Sequence, residues 1–209
     1  MILPLNDYSL EHDSLDELFE TMMQMDDDPL ADAGTNVVIS RGNPDAEILI
    51  IGEAPGPQEN IQGKPFVGRA GKLLDKILEA VDLDPDEDVF ITNSVFRMPP
   101  GEDGKTFRRP LKSEIKFYRK YVAEIICLVN PKIILLTGNV ACDSVLDKTG
   151  ITRLRGKWIE RDGRWIMPVF HPSYLLRNPS RQPGSPKALM WDDIREVRQK
   201  YDRLAEKRI

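Results

Sequence analysis

The stretch AEILIIGEAPG, residues 46–56, decides the fold. Its first part, Ala46–Ile51, contains the continuous apolar run Ile48–Ile51, which ends in Gly52 and is typical of a strand buried on both faces of a sheet. A loop rich in glycine and proline follows, and apolar spacing then predicts a helix over Ala70–Val81. The same alternation continues along the chain. Further strands are predicted at Asp88–Val95, Lys132–Thr137 and Pro168–Phe170, a hairpin at Trp158–Glu160 and Arg164–Met167, and helices at Leu111–Leu128, Asn139–Asp147 and Pro186–Lys207.

Apolar strands that alternate with helices predict an α/β fold, here a three-layer α/β/α arrangement with a central four-stranded parallel sheet. Right-handed crossovers place the carboxyl ends of such strands at one edge, where ligands bind. Unusual residues follow each strand at that edge, so we expect a site there. They are Gly52–Gly56, Asn93, Gly138-Asn139 and His171–Ser173.

Charge divides the chain into two parts. Residues 1–35 hold ten of the 34 acidic residues and no Lys or Arg, so the remainder carries 29 basic against 24 acidic side chains. We expect an acidic leader at 1–40, helical or partly mobile, with a helix from Ser14 to Met25, and a main domain at 41–209. A body that is basic apart from its leader is compatible with phosphate contacts. The chain lacks a run of membrane-span length and a signal-like start, so we expect a cytoplasmic protein, or one in host cytoplasm if viral, without a membrane partner.

Two common cofactor classes find no support in the sequence. Neither GxxxxGK[ST] nor GxGxxG follows the first strand, which argues against a nucleotide-phosphate loop. Only Cys127 and Cys142 are present, and they form no CxxC pair. A structural zinc or a four-thiolate cluster needs more ligands, so we expect reduced thiols and no metal.

Three ordered motif blocks carry a resemblance to a known family. The blocks are Gly52–Gly56 with Gly63–Leu74, Ile91–Asn93 with Pro99-Pro100, and His171–Pro179, with Ile151–Gly156 as a lead-in to the last strands. The whole set, spanning about residues 46–205, resembles family 4 uracil-DNA glycosylases, the iron–sulfur type of this superfamily. The resemblance implies a monofunctional hydrolase of base excision repair that flips deoxyuridine out of DNA and leaves an abasic site.

The resemblance implies a role for each residue of the predicted uracil pocket. Phe66 would stack on the uracil ring and Asn93 would hydrogen-bond its edge, because an amide offers a donor and an acceptor together. His171 would stabilise negative charge on uracil O2. A structural alternative stays open for each residue: Phe66 could be a core residue, Asn93 a loop cap and His171 a purely structural residue. Gly52 and Ala54 complete the predicted pocket.

Glu53 and Glu59 are the candidate catalytic carboxylates. A nearby anion stabilises an oxocarbenium-like sugar, and a carboxylate can orient the attacking water. The sequence does not divide these roles between the two. The segment Pro172-Ser173-Tyr174-Leu175-Leu176-Arg177 resembles the loop that enters the minor groove and fills the gap left by the flipped base. Its two leucines could also be core residues.

The chain departs from the family at its cluster cysteines. The leader has none, Arg97 stands where the third cysteine would fall and Tyr118 where the fourth would fall. We therefore expect no iron–sulfur cluster and no other cofactor. Residues 101–109 look like a basic insertion near the DNA, without the histidine that lets a related subgroup capture DNA covalently.

Other functions stay open beside the active glycosylase. One is a catalytically weak DNA-binding or replication-associated subunit, and a minor one is a glycosylase for another lesion such as hypoxanthine. We expect uracil-containing DNA as a partner, a replication or repair protein docked on the leader, and a monomer.

Overall fold

The computed structural model describes residues 10–103 and 106–206 of the chain. Its sheet has the strand order β1-β3-β2-β4-β6-β5. The four central strands β3, β2, β4 and β6 are parallel, and β1 and β5 pair antiparallel at the two edges. The strands are β1 (Ser40–Gly42), β2 (Ile48–Gly52), β3 (Val89–Asn93), β4 (Ile133–Thr137), β5 (Ile159–Arg161) and β6 (Arg164–Val169).

The predicted four-stranded parallel sheet is present, but it is the centre of a larger sheet that has six strands instead of the expected four. The predicted hairpin exists, and its turn residues Asp162 and Gly163 both have positive φ, as a tight two-residue turn requires. Its first arm, β5, joins the main sheet. The other edge strand, β1, was not predicted because the sequence Ser-Arg-Gly has no apolar alternation and is only partly buried.

Eight helices surround this sheet in the described ranges. The leader helix begins after Ser14, whose Oγ accepts a hydrogen bond from the Glu17 N–H at 3.3 Å, so the predicted cap is confirmed. A single 3₁₀ turn at Ala31–Ala33 follows it. The helices are α1 (Leu15–Met23), α2 (Pro57–Gln62), α3 (Arg69–Glu79), α4 (Lys112–Val129), α5 (Gly138–Leu146), α6 (Ile151–Leu154), α7 (Pro172–Arg177) and α8 (Pro186–Glu206).

Helices cover both faces of the sheet, as the side chains of β2 show. Leu49 and Ile51 belong to the hydrophobic cluster under α1, α4 and α5. Ile48 and Ile50 belong to the opposite cluster, under α3 and α8. Successive strand residues point to opposite faces, so a run apolar at every position forms a strand buried on both sides. The protein is therefore a three-layer α/β/α fold.

The N-terminal segment packs on this core. Leu18 and Met22 of α1 are fully buried in the cluster that includes α4. Residues 1–9 of the predicted leader, and Gly104 and Lys105 of the predicted insertion, lie outside the described residues. The functional division of the chain at residue 40 stays a prediction. None of the described helices is long and apolar enough to cross a membrane.

Candidate active site at the carboxyl edge of the sheet

A cleft of about 940 Å³ opens where the parallel strands end. Gly52 and Asn93 close two neighbouring strands as directly paired residues, and His171 follows β6 by two positions. Because parallel strands all end at this edge, segments far apart in sequence meet there. The sequence-predicted residues among those that line the cleft are Glu53, Ala54, Glu59, Phe66, Asn93, His171, Ser173 and Arg177.

Glu59 organises the loop between β2 and α3. Its Oε1 accepts backbone N–H bonds from Val67 at 3.1 Å and Gly68 at 2.8 Å, and its Oε2 accepts one from Gly56 at 3.2 Å. A carboxylate that accepts three backbone donors is fixed in place. This geometry favours loop positioning over water activation for Glu59, a division that the sequence left open.

Phe66 forms one wall of the cleft in an unusual backbone conformation. Its φ is +54°, a left-handed value that is costly for an aromatic residue. The side chain is 5% exposed and packs in the cluster under α3, and its ring centroid lies 5.8 Å from that of His171. Phe66 is therefore a core residue and a cleft residue at once. Gly71 accommodates this conformation, since a Cβ there would lie 1.7 Å from the Phe66 carbonyl oxygen.

Gly52 lets the Asn93 amide and the Phe66 ring approach each other. A Cβ built on Gly52 would lie 2.3 Å from Asn93 Oδ1 and 2.5 Å from the Phe66 ring. Asn93 itself is 2% exposed at the end of β3. The three residues form a pocket floor in which an amide stands beside an aromatic ring.

His171 is the N-cap residue of α7, and its hydrogen bonds define its tautomer. Nδ1 accepts the Ser173 backbone N–H at 3.2 Å and lies 2.8 Å from Ser173 Oγ. An acceptor Nδ1 leaves the ring proton on Nε2. Burial, reinforced by Arg177 and Arg109, lowers the pKa of His171 to about 4. The imidazole is therefore neutral at physiological pH, with a donor on Nε2.

Two opposing effects act on the pKa of the Glu53 carboxyl group. Burial raises the pKa of its carboxyl group, while the charges of Arg109 and Arg177 act to lower it. The two arginines are exposed and approach from different segments, the loop before α4 and the end of α7. They favour the ionised carboxylate in a place where burial disfavours it.

The predicted DNA-entering segment is a short helix with two faces. Pro172 and Leu175 are buried, and Leu175, at 1% exposure, packs under α3 and α8. Leu175 therefore packs in the core, which is one of the two alternatives that the sequence left open for the leucines, while contact with DNA stays a prediction. Tyr174, at 39% exposure, and Arg177 face solvent, and Leu176 is half-buried. Residues three positions apart lie on the same face of a helix, so Pro172 and Leu175 face the core together while Tyr174 and Arg177 face solvent. The prediction of a loop did not separate these two sets.

Two parts of the site were missed or only outlined from the sequence. The segment 107–109 supplies Phe107, Arg108 and Arg109 to the cleft, and a two-pronged ion pair of Arg108 with Glu114, at 2.6 and 2.9 Å, anchors it to α4. Arg41 on β1 contacts the backbone of the Phe66 loop. No local pattern identifies Arg41, because its partners lie 24 or more positions away.

Comparison with known proteins identifies the family of the chain. The family model of the uracil DNA glycosylase superfamily matches residues 39–195. The chain belongs to the uracil DNA glycosylase superfamily. It is 40% identical over 151 residues to a type-4 uracil-DNA glycosylase of Thermotoga maritima, covering 71% of this chain and 76% of that one. It is 34% identical over 197 residues to the type-4 enzyme of Sulfurisphaera tokodaii, covering 90% and 84%.

One relative has a different architecture. The DNA polymerase of Bacillus phage SP01 is 36% identical over 155 residues, which are 74% of this chain but only 16% of that polymerase. A segment resembling this chain therefore occurs within a DNA polymerase.

The thiols of this superfamily member do not fit the four-cysteine cluster of type-4 enzymes. The chain has two cysteines, and burial in α5 raises the pKa of the Cys142 thiol to about 12, which disfavours the thiolate that binds iron. Among the described residues, no group of three His, Cys, Asp or Glu side chains could hold a metal ion.

A polar cluster joins the two positions where the third and fourth cysteines would fall. Asp28, with a side chain that is 0% exposed, accepts hydrogen bonds from Arg97 Nε at 2.6 Å and from the Tyr118 hydroxyl. Arg97 also donates to the Thr35 carbonyl. These contacts join the N-terminal segment to α4 and to the loop after β3.

Proposed function

We propose that this chain hydrolyses the N-glycosidic bond of deoxyuridine in DNA and leaves an abasic site, without an iron–sulfur cluster. The observation that carries the proposal is the convergence of Phe66, Asn93, His171 and Glu53 on one cleft. They come from four segments of the chain, and each has the chemistry that one part of the reaction needs.

Recognition rests on the pocket floor. The flipped uracil stacks on Phe66, and Asn93 meets its N3–H and O4 edge with an acceptor and a donor. Cytosine presents an amino group where uracil presents O4, so the same amide leaves donors opposed. Gly52 keeps the floor open for the base.

Bond breaking separates charge, and two groups stabilise it. As the C1′–N1 bond breaks, negative charge builds on uracil O2 and His171 Nε2–H donates to it, as a neutral group fixed by Ser173. The sugar becomes oxocarbenium-like, and the partly buried Glu53 carboxylate stabilises that charge and orients the water that attacks C1′. The water gives its hydroxyl to the sugar and its second proton to solvent or uracil. Glu59 holds the loop that carries Glu53 and Phe66.

Basic residues on both sides of the cleft suit the DNA backbone. Arg109 and Arg177 are exposed, and both act electrostatically on Glu53 and His171. We assign them to phosphates flanking the flipped nucleotide, with Tyr174 and Leu176 as the side chains that replace it in the stack.

The test is excision from a single-stranded oligonucleotide with one central uracil, followed by alkaline cleavage. We expect an abasic product with the wild-type protein, and a loss of at least about a hundredfold in His171→Ala and in Glu53→Gln, since each removes a charge-stabilising group. Glu160→Gln, a surface carboxylate of β5, is the matched control. No product at high enzyme concentration would overturn the proposal, and stronger release of hypoxanthine than of uracil would redirect it to another lesion.

A second candidate is a replication-associated role, with or without strong catalysis. The similarity to a segment of a phage DNA polymerase favours it, as does the acidic leader. Truncation at residue 36 would remove buried Leu18 and Met22, so surface variants make a cleaner test. We expect the replicative polymerase of the same organism to form a complex by mass photometry that Asp16→Asn/Glu20→Gln weakens. A wild-type protein that forms no complex would exclude this role for the leader.

A further inference from the structure

The aromatic residue of the cleft is a strained element that borders two cavities. One is the cleft itself, and a second, of about 610 Å³, is lined by Phe66 together with residues of α1, β1 and α3. Phe66 has a left-handed backbone that costs free energy, so its loop would relax if nothing held it.

Glu59 restrains one end of this loop, and Arg41 restrains the other. Glu59 accepts from the N–H groups of Val67 and Gly68, just after Phe66. Arg41 Nε donates to the Pro65 carbonyl at 3.0 Å, and its Nη2 makes a longer contact of 3.5 Å with the Phe66 carbonyl. The peptide groups before and after the aromatic residue are thus held by opposite charges.

Arg41 is itself fixed from two directions. Its backbone sits in β1, paired with Ile91 of β3, two residues before the strand ends in Asn93. Its guanidinium forms an ion pair with Asp75 of α3, and the side chain is 10% exposed. Arginine suits this place because its planar fork can donate to a carbonyl and a carboxylate at the same time, which lysine cannot match.

We infer that Arg41 is a positioning residue for base recognition, which sets the height and tilt of the Phe66 ring relative to the Asn93 amide. The inference rests on the proposed function, since it assigns Arg41 to the same uracil pocket. Arg41 is separated from the cleft by Phe66 and touches no substrate, so its effect reaches the reaction only through the ring that it holds.

A double-mutant cycle tests this route of action. Excision of uracil is measured as kcat/KM for the wild-type protein, Arg41→Ala, Phe66→Leu and the double variant. We expect Arg41→Ala to lower kcat/KM on the order of tenfold to a hundredfold, as a misplaced binding group does. In the Phe66→Leu background the same change should cost less than about twofold, because coupled residues are not additive. Equal losses in both backgrounds would overturn the inference.

Companion measurements separate positioning from folding. Free uracil is used as a competitive inhibitor, and its inhibition constant should rise in Arg41→Ala. Loss of folded protein would lower the active concentration and leave that constant unchanged, which would contradict the inference. Arg41→Lys keeps the charge and should give an intermediate constant if Arg41→Ala does not fold. Asp86→Asn, which removes an 82% exposed carboxylate 3.8 Å from Arg41, is the matched control and should behave as wild type. An inactive wild-type protein would instead refute the proposed function.

Discussion

Replacing Asp28 by alanine should destabilise the protein strongly, because this carboxylate joins three segments without contacting solvent. It accepts from Arg97 Nε at 2.6 Å, from the Tyr118 hydroxyl, and from the Leu30 N–H at 2.9 Å. Burial and the hydrogen bond to Asp28 raise the pKa of Tyr118, so the hydroxyl is protonated at neutral pH and donates to Asp28.

The size of the expected loss of stability depends on the groups that lose their partner when Asp28 is replaced. Removing one partner of a buried ion pair costs about 3–5 kcal/mol, since the other charge stays buried. Arg97 is 16% exposed and keeps its bond to the Thr35 carbonyl, which places Asp28→Ala near the lower end, at about 3 kcal/mol. A chain of this size loses about 2–4 °C of Tm per kcal/mol, so Tm should fall by roughly 6–12 °C.

The assay is urea denaturation followed by tryptophan fluorescence at 25 °C, with Asp27→Ala as the matched control. Asp27 is the exposed neighbour, and its substitution should stay within about 0.5 kcal/mol of wild type. The triple variant Asp28→Ala/Arg97→Met/Tyr118→Phe should recover part of the loss, because the unpaired Arg97 charge and Tyr118 hydroxyl are then gone, although the Leu30 N–H and the Thr35 carbonyl lose their side-chain partners. An Asp28→Ala protein as stable as the control, or a triple variant less stable than Asp28→Ala, would refute the reasoning.

Iron and sulfide analysis of wild-type protein expressed with cluster-assembly proteins should give no stoichiometric iron.

Three further predictions concern the cleft. Gly52→Ala should abolish excision while the protein stays folded by circular dichroism, because the new methyl group would occupy the space of the Phe66 ring and the Asn93 amide; near-normal activity would show that the pocket floor adapts. Asn93→Asp should release cytosine from single-stranded DNA and lose uracil activity, because a carboxylate accepts from the cytosine amino group; unchanged base preference would remove Asn93 from recognition. Activity should fall at low pH as Glu53 is protonated. Arg109→Ala should move this acid limb of the pH profile to higher pH, because the positive charge that lowers the Glu53 pKa is removed. A pH profile of kcat/KM that is unchanged in Arg109→Ala would contradict this electrostatic role.

Local sequence predicted the elements whose information lies within a few residues. The apolar run before Gly52 predicted β2, and the register of its buried faces follows from strict alternation. Ser14 predicted the start of α1, and Asp162-Gly163 predicted the turn between β5 and β6. The order of strand-ending residues also predicted that Asn93 and His171 would meet at one edge, because parallel topology leaves them no other place.

The sequence by itself therefore determined the α/β class, the edge that holds the site and the chemical types around the cleft, since these depend on periodicity and on strand direction. Only the tertiary structure decided which carboxylate is held by backbone donors, which leucine of α7 is core, and that Asp28 meets Arg97 and Tyr118, 69 and 90 positions away. Such pairings form when separate elements pack together, and their energies depend on burial and distance, which no local pattern encodes.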